Sequence, residues 1–222
     1  MYRRYQHLVI EDSDEAPTED EIRDIEWALD AKLPDDFLDF LDVANGSSLE
    51  SYYVTVQLSP DPEDTEDLSF SPIYSTKTTG YGSFLFELER RTAFDPTSPY
   101  WIPEKVLPIA DGAGDVHLYL DLRREGQSPV MAFISGLPEW TGLHQENTLV
   151  KVADNFTDYI AMLKFDVEDY KEHLLNLIAK NETKYISATI DFLELALPNW
   201  RDVFGFDYDD GRPKQRKLWD DG

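Results

Sequence analysis

A chain of 222 residues with 41% apolar side chains and no cysteine can bury a core without covalent staples, and that inventory excludes disulfides, thiolate catalysis and cysteine-bound zinc. Its 45 acids against 20 lysines and arginines leave a formal charge of −25, which repels phosphate backbones, argues against direct nucleic-acid binding and speeds encounter with a basic protein. The opening residues lack the apolar core of a signal peptide, and no stretch approaches the roughly 18 apolar residues of a membrane span, so the chain is expected to be cytoplasmic and free of the membrane.

In chain order, an acidic run from Glu11 to Asp24 contains Thr18-Glu19-Asp20-Glu21, a capping box that predicts a helix start just after Pro17. Ile22, Ile25, Ala28 and Leu29 recur at helical spacing, and Pro34 closes the pattern at Leu33. Pro34-Asp35-Asp36 opens a second helix with Phe37, Phe40, Leu41 and Ala44 inward, and Asn45-Gly46 ends it. Tyr52 to Leu58 alternates like a strand, whereas Ser59 to Asp67, with two prolines and five acids, reads as an exposed loop. Further strands are predicted over Phe70 to Tyr74, Gly82 to Leu88, Val106 to Ala110, Val116 to Leu122 and Val130 to Ile134. Asn155 caps a helix carrying Phe156, Tyr159, Ile160 and Leu163, and two more helical patterns cover Val167 to Ala179 and Lys184 to Leu197. The basic residues Arg212, Lys214, Arg216 and Lys217, bracketed by aspartates, read as a solvated tail. Helices, then strands, then helices predict an α+β fold: a central, mostly antiparallel sheet of about six strands flanked by N-terminal and C-terminal helices.

Candidate chemistry is sparse. Asp111-Gly112-Ala113-Gly114-Asp115 lacks the lysine of a phosphate loop and the oxygens of a calcium loop, so it reads as a tight turn. Asp115, His117 and His144 form no paired-histidine motif, no G-x-S-x-G occurs, and adjacent acids such as Asp35-Asp36 point apart. No catalytic residue, metal or cofactor is therefore expected. The aromatics are more suggestive, because interface hot spots favour Trp and Tyr, and Tyr52, Tyr53, Tyr81, Tyr100, Trp101, Tyr119, Trp140 and Trp200 are available. Along Val116 to Leu122 the Val-Leu stripe occupies one face and His117, Tyr119 and Asp121 the other. That second face, if open, is the expected partner-binding surface, flanked by Trp101 and Trp140 and by Asp111 and Asp115 in the preceding turn.

Three motifs in order carry a resemblance. Leu33-Pro34-Asp35-Asp36-Phe37, with Phe40-Leu41 and Asn45-Gly46, is followed by Leu107-Pro108-Ile109-Ala110-Asp111-Gly112-Ala113-Gly114-Asp115 and then by Val152-Ala153-Asp154-Asn155-Phe156 to Leu163. This set, spanning Thr18 to Leu163, resembles the SMI1/KNR4 (SUKH) family, although Asn155 stands where a serine is common. The resemblance implies a SUKH domain over residues 1–165, with residues 166–222 a helical extension packed on it and ending in a charged tail. It further implies an immunity protein that neutralises a cognate polymorphic toxin, a class that includes nucleases and deaminases. Fungal relatives act instead as regulators or scaffolds, the alternative without a toxin partner. No catalytic residues accompany the family.

Overall fold

The computed structural model describes residues 2–113, 116–134, 139–141, 149–209 and 212–215. The chain opens on an antiparallel hairpin, β1 (Arg3–Tyr5) and β2 (Leu8–Ile10), the three residues of β2 being buried. Helix α1 (Glu19–Leu29) begins where its capping box dictates: the Thr18 hydroxyl accepts from the Glu21 amide at 3.3 Å, and the Glu21 carboxylate accepts from the Thr18 amide at 2.7 Å. Helix α2 (Asp35–Ala44) follows Pro34 and leaves through Asn45 and Gly46. Gly46 has φ +70°, and a Cβ there would lie 2.7 Å from an Asp14 carboxylate oxygen and 2.9 Å from Ser75 Cβ, so both conformation and space demand glycine.

Strands β3 (Tyr52–Gln57), β4 (Thr65–Leu68) and β5 (Phe70–Ile73) lead to helix α3 (Phe84–Thr92). Strands β6 (Val106–Gly112), β7 (His117–Asp121) and β8 (Val130–Phe133) come next, then a 3-10 turn at Glu139–Thr141, strand β9 (Leu149–Ala153) and helix α4 (Phe156–Met162). The rest comprises β10 (Lys164–Phe165), α5 (Val167–Ala179), α6 (Thr183–Ala196), α7 (Trp200–Phe204), and the strands β11 (Phe206–Asp209) and β12 (Arg212–Gln215). A five-stranded antiparallel sheet, ordered β5-β6-β7-β8-β9, forms the centre, beside a smaller β10-β3-β4 sheet. The fold is α+β, as the order of elements predicts. Among the described residues no helix is long and apolar enough to cross a membrane.

Several expectations are corrected. Gly82 to Leu88 is not a strand: Ser83 caps α3, and the helix buries Phe84, Glu87, Leu88 and Arg91, which recur at helical rather than alternating spacing. The acidic loop Ser59 to Asp67 contains the start of β4, paired to β3 through Thr65↔Gln57, Glu66↔Val56 and Asp67↔Thr55. The basic run near the end, expected as a solvated tail, contributes Arg212 and Lys214 to β12, which pairs with β11.

The main core joins both faces of the central sheet to α1, α2 and α4. Phe156 brings the two ends of that core together, its ring 4.9 Å from Phe37 and 5.0 Å from Phe40. From Phe165 onward a second cluster forms around Leu174, Leu177, Ile186, Leu193 and Trp200. The hairpin meets this part directly, since the Tyr2 hydroxyl donates to the Ala188 carbonyl at 3.0 Å and the Arg4 guanidinium to the Leu195 carbonyl at 2.7 Å.

Candidate partner-binding site

The face of β7 that carries His117, Tyr119 and Asp121 is covered, because α3 lays Arg91 across it. Arg91 is fully buried, and its guanidinium donates to the Tyr119 hydroxyl at 3.0 Å and to the Asp111 carboxylate at 2.9 Å, with Glu87 at 3.4 Å as a second counter-charge. These charges and hydrogen bonds offset the burial of the guanidinium, although its Nε has only the ion pair with Glu87 and no hydrogen bond among the described residues. His117 Nδ1 lies 2.6 Å from the same Asp111 oxygen, so with Asp111 ionised that nitrogen carries the proton and donates. The imidazole stacks on Phe133 at an interplanar angle of 11°, and its Nε2 is buried without a hydrogen-bond partner among the described residues.

Above Tyr119 sits Trp140, edge-on at 5.5 Å, whose indole N–H donates to the Trp101 carbonyl at 2.8 Å. Arg123 lies over the Trp140 ring at 5.5 Å and forms a two-point ion pair with Asp121, at 2.9 and 2.6 Å. Thus Asp111, His117, Tyr119, Trp140, Trp101 and Asp121 are brought into one continuous network, while Asp115 and His144 lie outside the described residues. The expectation of an open face is corrected: Tyr119 is 0% exposed and His117 is buried, because α3 and Trp140 pack on them. What reaches solvent is the rim, formed by Asp111, Trp101, Trp140, Asp121 and Arg123.

From that rim a surface continues to α1. A cleft of about 610 Å³, lined by Arg123, Lys105, Lys32 and Asp30 among others, adjoins one of about 580 Å³ that ends on Trp27. Trp27 is 85% exposed, the most exposed large apolar side chain among the described residues, and sequence reasoning passed over it. The signal was present: at 100° per residue Trp27 stands 200° from Ile25 and so cannot share the inward stripe of Ile22, Ile25 and Leu29. Tyr81, 76% exposed beside the α3 cap, is a second outward ring, held against Phe86 at 5.1 Å and under Arg90 at 5.6 Å.

Burial alone would push the Asp111 carboxyl up, but hydrogen bonds from His117 and Tyr74 and the charge of Arg91 outweigh it and hold the group below the ordinary carboxylate range. A depressed folded value contributes stability above the unfolded value, about 3.9, that is lost as the pH falls through the folded value. With 42% of the side chain exposed, solvent screening limits the contribution to about 1 kcal/mol or less. Asp111→Asn is therefore expected to be slightly less stable than wild type at neutral pH, the two converging in acid. Urea denaturation across pH checks this, and curves that stay parallel into acid would remove the carboxylate from the account.

Residues 16–162 match the SMI1 / KNR4 family (SUKH-1), about two thirds of the chain and the part that holds the central sheet and α1 to α4. No curated protein matches closely enough to count as a relative.

Proposed function

The chain belongs to the SMI1/KNR4 family (SUKH-1), and from that premise we propose that it is an immunity protein that binds a basic toxin and neutralises it by covering the toxin's working surface. The family is of immunity-protein type, and its members are not known as enzymes; this chain binds without transforming its partner. The observation that carries the reading is Trp27, left 85% exposed on an acid-rich helix at the end of clefts that run to Arg123, the side chain lying over Trp140. Trp and Arg are the residues in which interface energy concentrates, and Trp27 and Arg123 lie at the two ends of these adjoining clefts. The net charge of −25 accelerates encounter with a cationic partner. Trp101, Trp140, Asp111 and Asp121 supply contacts, and the buried His117 and Tyr119 hold them in place.

Coexpression with a toxin encoded beside it is expected to restore growth. Trp27→Ala should weaken the purified complex by about 2 kcal/mol, a hot-spot-sized loss, while leaving the circular dichroism unchanged. Persistent toxicity despite folded protein would overturn the reading. Recovery of housekeeping proteins alone would favour a regulatory scaffold.

A further inference from the structure

The family match ends at residue 162, and the helices beyond it close, with the N-terminal hairpin, a cleft of about 430 Å³. Four carboxylates line this space: Glu11, Glu50, Asp169 and Glu182. They come from four separate segments, Asp169 in α5 and Glu182 in the turn that leads into α6. The lining contains no lysine or arginine, His173 being its only basic side chain, and none of the four acids forms an ion pair among the described residues.

The walls between the acids are aromatic and held in place. Tyr2 is anchored through its hydroxyl to the Ala188 carbonyl and meets Phe192 edge-on at 5.6 Å. Tyr170 stacks on the same Phe192 at 5.0 Å with an interplanar angle of 26°, and Tyr185, which is exposed, completes the mouth. Fixed rings interleaved with unpaired carboxylates suit a cation that has both charge and a flat or apolar body, because the ring faces and the acids attract it together. Glu11 shows what the cleft lacks. Burial, and the neighbouring charges of Asp12 and Glu50, push its carboxyl above the ordinary range, so an incoming positive charge would relieve a repulsion already present.

We propose that this cleft receives the charged head of an arginine or lysine side chain presented by a protein partner. The proposal rests on the reading of the chain as a protein-binding module, but it concerns a different face from the Trp27 to Trp140 surface and is built largely by segments outside the family match. It assigns the C-terminal helices a recognition role, with charge complementarity selecting the occupant.

The probe is a capped peptide with a single arginine, compared with the same peptide carrying neutral citrulline, followed by amide shifts in the intact chain. Saturable shifts at Tyr2, Tyr170 and Tyr185, in the millimolar range and at least about tenfold weaker with citrulline, are expected. Glu50→Lys with Asp169→Lys, both at exposed positions, should weaken arginine binding by a similar factor, and Tyr185→Ala provides a second test that leaves the charges intact. Absent shifts, equal binding of citrulline, or undiminished binding by the folded charge-reversed variant would each overturn the proposal. Toxin neutralisation with a silent cleft would sink the cleft alone; arginine binding without neutralisation would sink the functional reading alone.

Discussion

Arg91→Met is expected to lower the free energy of unfolding by about 3–5 kcal/mol, the cost of breaking a buried ion pair by removing one partner. The side chain is fully buried, and its loss strands the Tyr119 hydroxyl, removes one of two counter-charges from the buried Glu87 and takes the guanidinium away from Asp111. In a chain of this length that corresponds to a fall in Tm of roughly 10 °C or more. Arg91→Lys should fall between the two, since an ammonium keeps the charge but cannot address the Tyr119 and Asp111 oxygens with a planar fork. Urea and thermal denaturation measure both, and an Arg91→Met protein as stable as wild type would show that this cluster does not brace the sheet. Because the same cluster seats Trp140 through Tyr119, the variant should also bind a partner more weakly at temperatures where it remains folded.

The second large effect is expected at Phe156. It is fully buried and touches Phe37, Phe40 and Tyr159, with centroids at 4.9, 5.0 and 5.6 Å, so it joins α2 to α4 across more than a hundred residues of sequence. Phe156→Ala removes a large ring from a site walled by other rigid rings that collapse poorly, and the expected cost is about 3–5 kcal/mol. Phe156→Leu should recover much of it by restoring volume without the ring contacts. A measured cost below about 1 kcal/mol for the alanine variant would mean that the surrounding rings close the gap.

The helices were legible in the sequence where their ends carry chemistry. Thr18, Pro34 and Asn155 mark starts that the structure reproduces, and Val167 to Ala179 falls on α5, because caps and prolines act locally. Helix α3 was misread because two of its four inward residues, Glu87 and Arg91, are charged, and a buried ion pair erases the apolar stripe that identifies a helix. The hairpin β1–β2 was missed since strands of three residues hold too few positions to establish alternation, and the five-residue β9 was passed over although it is as long as β7. The candidate surface was legible as a set and misplaced in depth. Alternation correctly put His117 and Tyr119 opposite the Val-Leu stripe, but nothing in that alternation reports that a helix thirty residues earlier folds back over them.

The ties between Tyr2 and Ala188, and between Arg4 and Leu195, bear on how the polypeptide matures as it is made. The leading hairpin can dock on α2 early, through Arg3 and the carbonyl of Val43, yet its other side waits until residues some 190 positions later have emerged from the ribosome. The hairpin is thus among the last elements to be completed, and a chain halted before α6 would leave it half covered.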